Sequence, residues 1–423
     1  MAAISAVKSS EIVEAAVSAG ELNSYQNKLD DSMDRVMEVR NTLQNLEQHE
    51  VTPELVVEMD RALVRSGAVI EPAEGMDSVQ GVESLGISLM PKDYLFSRLM
   101  GCENFLGDFF KNSKEVVTRI GSSFKDSYVL FMESQDSLSK SLDLLENTLN
   151  TSPEFTSNES FILPHRLYNL FKVNGKVDQD WTGNLNKLNR TINGLSNNYY
   201  LNSKNVLQTV YSYFGGFSGL DALAAADRIR LLPISIPSIP FKECTYPNTR
   251  HGGPNLICKQ SVELMGGAYF YDVRLKDRPK VATSMDEVKD FLTRYLEFEG
   301  TGFENTTEYT LKEVGTEIRS LSSKEIREVI KLLREIMKDW KKIFENGDKF
   351  MLVTNDYNDI VKGFLETDLD EDTKIILSKW FSEIVRKNQM ELLSIRARVS
   401  NYLTLVINGL LDISNDSILI NLD

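Results

Sequence analysis

The sequence predicts a mostly α protein, with a multi-helix body, a small β or irregular insert around residues 233–283 and an N-terminal helical hairpin. Apolar residues recur at helical spacing through most of the chain. Prolines and glycine pairs gather in one middle stretch and interrupt that spacing. At 423 residues and 42% hydrophobic content, the chain is long enough to bury more than one core. These patterns divide it into five segments.

Residues 1–66 are predicted to be an acidic leader with two helices. The first 83 residues hold 16 acidic and 6 basic side chains, so they carry −10 of the chain's net charge of −15. Thr52, Pro53 and Glu54 supply the cap, the first residue and the first-turn acid of the second helix. A single apolar stripe marks the first helix and consists of Leu22, Tyr25, Leu29, Met33, Val36 and Leu43. A hairpin with one thin apolar face needs a partner for stability.

Residues 67–90 are predicted to be a flexible linker. Helical spacing stops and aromatic residues are absent. The stretch is interrupted by Gly67, Pro72, Gly75, Gly81 and Gly86. The residues after this boundary are nearly balanced in charge, with 46 acids and 41 bases from residue 84 onward. We expect the linker to be exposed and open to proteolysis.

Residues 91–232 are predicted to be a helical core. Dense apolar spacing runs from Pro91 to Leu149, and a polar loop follows at residues 150–159. Further helices are expected at about residues 164–173, 179–214 and 219–230, with glycines separating the last two.

Residues 233–283 are predicted to be the β insert. Pro233, Pro237 and Pro240 exclude a helix and a central strand at its start. A hairpin is expected further on, with strands at Val262–Met265 and Ala268–Leu275. Gly266 and Gly267 lie between them and would supply the positive φ that a tight turn requires.

Residues 284–423 are predicted to be helical again. Ser284 with Glu287, and Ser322 with Glu325, have the spacing of capping boxes ahead of apolar runs. The first long stripe consists of Ile326, Ile330, Leu333, Ile336, Met337, Trp340 and Phe344. The second consists of Leu377, Trp380, Phe381, Ile384, Leu392, Val399 and Leu403. We expect both tryptophans to be packed inside the body.

Composition argues against several classes of protein. A pI near 4.9 does not suit a protein that coats nucleic acid. The basic run at Lys338, Lys341 and Lys342 alternates with apolar residues, which is typical of the solvent-exposed face of an amphipathic helix. Three scattered cysteines indicate a reducing compartment. Without a signal peptide or eighteen consecutive apolar residues, a soluble intracellular chain without a membrane span is expected.

No set of residues predicts catalysis. The three histidines, His49, His165 and His251, fall in separate segments, and the Gly-Gly pairs lack the residues of phosphate-binding loops. No Gly-x-Ser-x-Gly motif is present. We therefore expect no enzyme activity, no catalytic residues and no cofactor.

Two metal sites were considered and neither is predicted. Cys244, His251 and Cys258 lack both a paired Cys-x-x-Cys and a fourth ligand. The acidic run at residues 368–372 resembles the start of a calcium loop, but Thr373 and Lys379 occupy the positions that require Gly and Glu. An acidic helix N-terminus explains the run better.

The layout resembles the internal head (prohead core) proteins of giant tailed bacteriophages of the phiKZ-like kind. The shared features are an acidic helical leader, a glycine-broken linker and the aromatic-rich helical entry from Pro91 to Phe124. A strand-like segment with a Gly-Gly pair (Val262–Tyr271) and a long helical C-terminal part follow. The resemblance implies a structural virion protein inside the head, present in the host cytoplasm during assembly. Its partners would be other head proteins, a prohead protease and further copies of itself, without specific nucleic-acid binding.

Such proteins are trimmed by a prohead protease after small-x-Glu sequences, so the resemblance implies a propeptide. Eleven triplets with Gly, Ala or Ser in the first position occur here, so a match alone does not identify a site. Only one of these triplets lies in the linker at the charge boundary. It consists of Gly81, Val82 and Glu83 and is followed by Ser84. A second candidate, Ala19, Gly20 and Glu21, lies in the leader.

Two other functions remain open from the sequence. One is a phage effector that is ejected with the DNA and binds or modifies a host target. The other is a non-enzymatic helical adaptor of cellular origin that docks a partner through the N-terminal hairpin. A pocket with convergent polar groups would favour the first, and the genes next to this one would separate all three.

Overall fold

The computed structural model describes residues 129, 131–157, 159–196, 223–224, 242–243, 256–276, 284–298, 300–305, 316–351, 369 and 371–422. About 70% of the described region is helical with a few small sheets, which confirms the mostly α class. The predicted leader and linker, residues 1–90, lie outside the described residues.

The longer elements are helices, in agreement with the apolar spacing. They are α1 (residues 131–151), α2 (His165–Leu170), α3 (Trp181–Gly194), α4 (Met285–Phe298), α5 (Ser323–Met351) and α6 (Glu371–Leu422). At both predicted capping boxes the serine caps the helix, because the Glu287 and Glu325 amides donate to the hydroxyls of Ser284 and Ser322.

Within the described ranges, short strands form three small antiparallel sheets. The strands are β1 (Ser160–Leu163), β2 (Lys172–Val173), β3 (Lys176–Val177), β4 (Lys242–Glu243), β5 (Leu256–Gln260), β6 (Ala268–Leu275), β7 (Gly300–Asn305) and β8 (Thr316–Arg319). β1 pairs with β8, β2 pairs with β3, and the third sheet has the order β4-β5-β6-β7. β6 is therefore a central strand, paired on both sides.

The glycine turn of the insert is confirmed, but the strand before it lies elsewhere. Gly266 and Gly267 have φ values of 72° and 65°. The strand that pairs with β6 ends at Gln260, so the strand expected at Val262–Met265 is wrong. The Ser261 amide still donates to the Phe270 carbonyl at 2.9 Å, and the Ser261 hydroxyl accepts from the Phe270 amide at 3.0 Å in place of the return backbone bond.

Strands also occur in regions where helices were expected. α2 ends at Leu170, and β2 and β3 follow in place of the last residues of the helix predicted at 164–173. Their turn has φ values of 50° at Asn174 and 79° at Gly175, both positive as in a type I′ turn. β7 and β8 likewise interrupt the C-terminal region, because each finds its partner strand far away in sequence.

Helices α1, α3 and α5 pack together on one side of the body. Phe131 of α1 stacks on Phe344 of α5 with ring centroids 3.9 Å apart. Asn193 of α3 donates to Asp339 of α5 at 2.7 Å. Lys342 pairs with Asp339 at 2.5 Å on the outer face of α5, while Met337, Trp340 and Ile343 are buried. The basic run therefore lies on the polar face of an amphipathic helix, as predicted.

Helix α6 is the longest element, with 52 residues. It packs against α2, α4, α5 and β7, so it contacts both the other helices and the largest sheet. All seven residues of its predicted apolar stripe are buried. Burial extends to polar residues as well, among them Ser378, Arg396 and Ser400. A helix buried on most sides is typical of the centre of a body.

The same helix is long and apolar enough to cross a membrane by length and composition. Within Thr373–Leu422, an 18-residue window has a mean hydropathy of 1.4. However, 61% of that window is buried inside the protein. A core helix passes the same test, and the packing against four other elements identifies α6 as one.

Candidate functional site

The expected cleavage residues lie outside the described part of the chain. These are Ala19, Gly20, Glu21, Gly81, Val82, Glu83 and Ser84. Six other small-x-Glu triplets end within the described part and can be compared, at Glu154, Glu159, Glu263, Glu304, Glu317 and Glu325.

Two of these triplets lie in the irregular segment between α1 and β1, and this segment is bonded to the start of α5. Glu154 pairs with Arg327 at 2.5 Å. The Phe155 amide donates to the Ser323 hydroxyl at 3.0 Å. The Ser320 amide donates to the Glu159 carbonyl at 2.8 Å. A protease that binds its substrate in extended form would have to break these contacts first.

Two further triplets are held by the small sheets. Glu304 belongs to β7 and is paired with Tyr269 of β6. The Glu263 carboxylate accepts from the Asn174 amide in the turn between β2 and β3 at 2.9 Å.

The last two triplets lie within regular structure. Glu317 belongs to β8 and is paired with Ile162 of β1. Glu325 accepts from the Ser322 amide at 2.8 Å, so the capping box is reciprocal. Burial alone would raise the pKa of Glu325, but the hydrogen bonds from Ser322 and the neighbouring Arg319 outweigh it and lower the pKa.

The residues considered for catalysis and metal binding do not come together within the described residues. His165 begins α2, and Cys258 lies half-buried on β5. The acidic run near residue 370 leads into α6, which begins at Glu371 as expected for an acidic helix start. In the described ranges, no group of three His, Cys, Asp or Glu side chains could hold a metal ion. The remaining candidates lie outside these ranges and are His49, His251 and Cys244.

A charged cluster lies where the central strand β6 meets β7. The Asp272 carboxylate is 1% exposed, and Arg274 binds both of its oxygens, at 2.6 Å and 3.1 Å. Thr301 of β7 donates its hydroxyl to the same carboxylate at 2.7 Å. A bidentate guanidinium and a hydroxyl satisfy a buried carboxylate well. Asp272 and Arg274 lie two residues apart, so they share one face of the strand.

Helix α6 joins this cluster through Glu391. Its carboxylate accepts from the Thr301 amide at 3.3 Å and lies 3.5 Å from Lys387. Burial raises the pKa of Glu391, while Lys387 and Arg274 act in the opposite direction. The cluster therefore connects three elements through polar contacts, and its acidic side chains already bind partners from the same chain.

A second contact fixes the glycine turn to the same helix. The Tyr402 hydroxyl of α6 donates to the Met265 carbonyl at 2.8 Å, and burial raises the pKa of Tyr402. The Tyr402 ring lies 5.3 Å from the Phe303 ring, which lies 4.8 Å from the ring of Phe270. The contacts at both ends of the sheet thus hold it against α6. Their chemistry is that of a structural junction.

The local sequence patterns do not predict these junctions. Asp272 and Arg274 could have been grouped by their period-two spacing, but Thr301 and Glu391 come from distant segments. Tyr402 lies beside the predicted apolar stripe of α6. The sequence around it does not indicate that its hydroxyl binds the Met265 carbonyl.

Comparison with known proteins agrees with this structural character. No curated protein and no solved structure matches the chain. The family model of phiKZ-like phage internal head proteins matches residues 10–416, nearly the whole length. The match confirms the family that the layout of the leader, linker and body resembles. The chain belongs to the phiKZ-like phage internal head proteins.

Proposed function

We propose that this protein is made with an N-terminal propeptide and that a prohead protease removes it after Glu83. Family membership makes the chain a structural protein inside the phage head, associated with other head components. The proposal adds the removal of residues 1–83 during assembly, with the precursor in the host cytoplasm and the trimmed body in the virion.

The charge distribution supports this site. A cut after Glu83 removes 16 acidic and 6 basic side chains and changes the net charge from −15 to −5. Packaged DNA carries a high density of negative charge, so a body with a smaller negative charge experiences less repulsion in the same compartment. The leader would then act before packaging, when no DNA opposes it.

The position of the other triplets also supports Glu83. The six described triplets are held by strand pairing, a capping box, a hydrogen bond to the Asn174 amide, or bonds to residues 320–327. Cleavage there requires local unfolding, which costs free energy. The segment around Glu83 has neither helical spacing nor aromatic anchors in its sequence. Gly81 also leaves little bulk beside the scissile bond.

Mass spectrometry of the protein from mature particles tests the site. We expect an N-terminus at Ser84 and no peptides from residues before Gly81. Phage carrying Glu83→Gln should retain the leader, because the protease would lose the acidic residue it reads. Glu154→Gln is the matched control and should leave processing unchanged. Peptides from residues 1–83 at full abundance in mature wild-type particles would refute the proposal.

A further inference from the structure

Helix α6 presents a narrow accessible stripe along its C-terminal half. The stripe consists of Arg398, Asn401, Leu405, Asn408, Asp412 and Asn415. Between Arg398 and Asn415, all residues of the helix outside this stripe are buried. The steps alternate between three and four residues, so the stripe runs nearly straight along the helix axis. Leu405 is 44% exposed, and the next residue of the series, Leu419, is 63% exposed.

The stripe has a symmetric charge pattern. Arg398 lies seven residues before Leu405, and Asp412 lies seven residues after it. At the helical rise, each charge is about 10 Å from Leu405 along the axis, on the same face. Arg398 uses one nitrogen to donate to the Phe303 carbonyl at 3.2 Å, and a guanidinium has further N–H donors.

We infer that this stripe is a contact between two copies of the chain, which pair antiparallel about a two-fold axis at Leu405. Each copy would then place Arg398 opposite Asp412 of the partner subunit, and the two Leu405 side chains would meet at the axis. A two-fold contact uses the same surface on both copies, so one complementary charge pair becomes two.

The alternative parallel pairing is disfavoured by the same charges. It would place Arg398 against Arg398 and Asp412 against Asp412 of the partner subunit, and like charges in a contact cost free energy. The stripe is short and mostly polar, so the dimer should be weak in dilute solution. The concentration inside a head would favour it by mass action.

Cysteine crosslinking of the full chain tests the axis. The background carries Cys102→Ser, Cys244→Ser and Cys258→Ser, and one new cysteine is added at a time. Leu405→Cys should form a disulfide-linked dimer under mild oxidation, because the two sulfurs meet at the axis. Asn415→Cys is the matched control. In the antiparallel pair its two copies lie about 30 Å apart, far beyond disulfide reach.

Charge exchange tests the orientation independently. Sedimentation velocity from about 1 µM to about 1 mM covers the affinities of weak contacts. Arg398→Asp and Asp412→Arg should each raise the dimer Kd about tenfold or more, and the double exchange should restore it to within about threefold. Circular dichroism melts show whether each variant is folded. If a charge variant does not fold, the Leu405→Cys crosslink alone tests the inference.

Three results would overturn the inference. The first is a wild-type chain that stays monomeric over the whole range, together with a Leu405→Cys variant that forms no crosslink. The second is a crosslink at Asn415→Cys as strong as that at Leu405→Cys, which indicates parallel pairing. The third is a Leu405→Cys crosslink to a different head protein within particles instead of to a second copy.

Discussion

At the scale of single residues, the body depends on a few large side chains that have both apolar and polar partners. Trp340 is fully buried on α5, and its indole nitrogen donates to the Ser400 hydroxyl of α6 at 3.0 Å. Its ring packs edge-on against Phe344 at 5.7 Å. Trp380 is buried on α6. The sequence predicted both burials from the helical stripes, but the hydrogen bond to Ser400 depends on how two helices cross.

Replacing Trp340 or Trp380 with Ala should therefore lower the free energy of unfolding by about 3–5 kcal/mol, as for other large aromatics removed from a packed core. Urea titration followed by circular dichroism measures the change. Ser400→Ala is the matched control for the hydrogen bond alone and should cost about 1 kcal/mol. A cost near zero for the tryptophans would contradict their packing.

The capping box of α5 predicts a dependence on pH. Because folding lowers the pKa of Glu325 from its ordinary value of 4.5, the ionised form stabilises the folded state. This contribution is fully present above pH 4.5 and is lost as the pH falls through the lower, folded pKa. Thermal melts between about pH 2 and pH 7 should show a shallower acid decline for Glu325→Gln than for wild type. An acid decline for Glu325→Gln as steep as that of wild type would contradict this contribution.

At the scale of elements, close approach between helices decides what the packing tolerates. A Cβ added to Gly409 of α6 would lie 2.7 Å from the Phe171 ring and 3.1 Å from Leu167. Phe171 is fully buried against Trp181, with ring centroids 5.2 Å apart, so it has little room to move. Gly409 thus allows the α2 region to reach α6.

Gly409→Ala should destabilise the protein by about 1–2 kcal/mol, because overpacking outweighs the better helix propensity of alanine. Thermal and urea unfolding measure the loss. Phe171→Leu removes the ring that the new methyl group would meet, so in that background Gly409→Ala should be nearly neutral. An equal cost in both backgrounds would show that the ring is not the cause.

The elements themselves were predictable only where their signals are local. α5 and α6 have capping residues or an acidic start and a regular apolar stripe, and their positions agree with the sequence. The turn at Asn174 and Gly175 has a local signal, the Asn-Gly pair, but no turn was predicted from it. β7 had none, because Gly300 and Gly302 weaken a strand on their own. Its stability comes from β6, whose Tyr271 covers Gly302.

At the scale of the whole molecule, the leader and the body are predicted to be separate units. The body has one continuous core that includes residues from α1, the sheets and α6. The boundary at residues 67–90 is a prediction from composition alone. The two parts also differ in charge, since residues from 84 onward have a net charge of −5.

Limited proteolysis of the intact chain tests this division. We expect early cuts between Gly67 and Met90 and a resistant product that begins near Pro91, because a protease binds an extended segment most readily where helical spacing is absent. Intact-mass measurement of the products locates the cuts. Early cuts mainly in residues 100–150, with the linker intact, would refute the division.

The position of α6 along the chain has a consequence for biosynthesis. The ribosome makes α2 about 200 residues before α6 begins at Glu371. At typical synthesis rates this takes roughly 10–40 s, during which α2 lacks the surface of α6 on which it packs. The apolar side chains of α2 that α6 later covers are exposed to neighbouring nascent chains during that time. Folding of the body therefore has to wait for α6, and a chaperone that shields nascent chains would have its greatest effect in this interval.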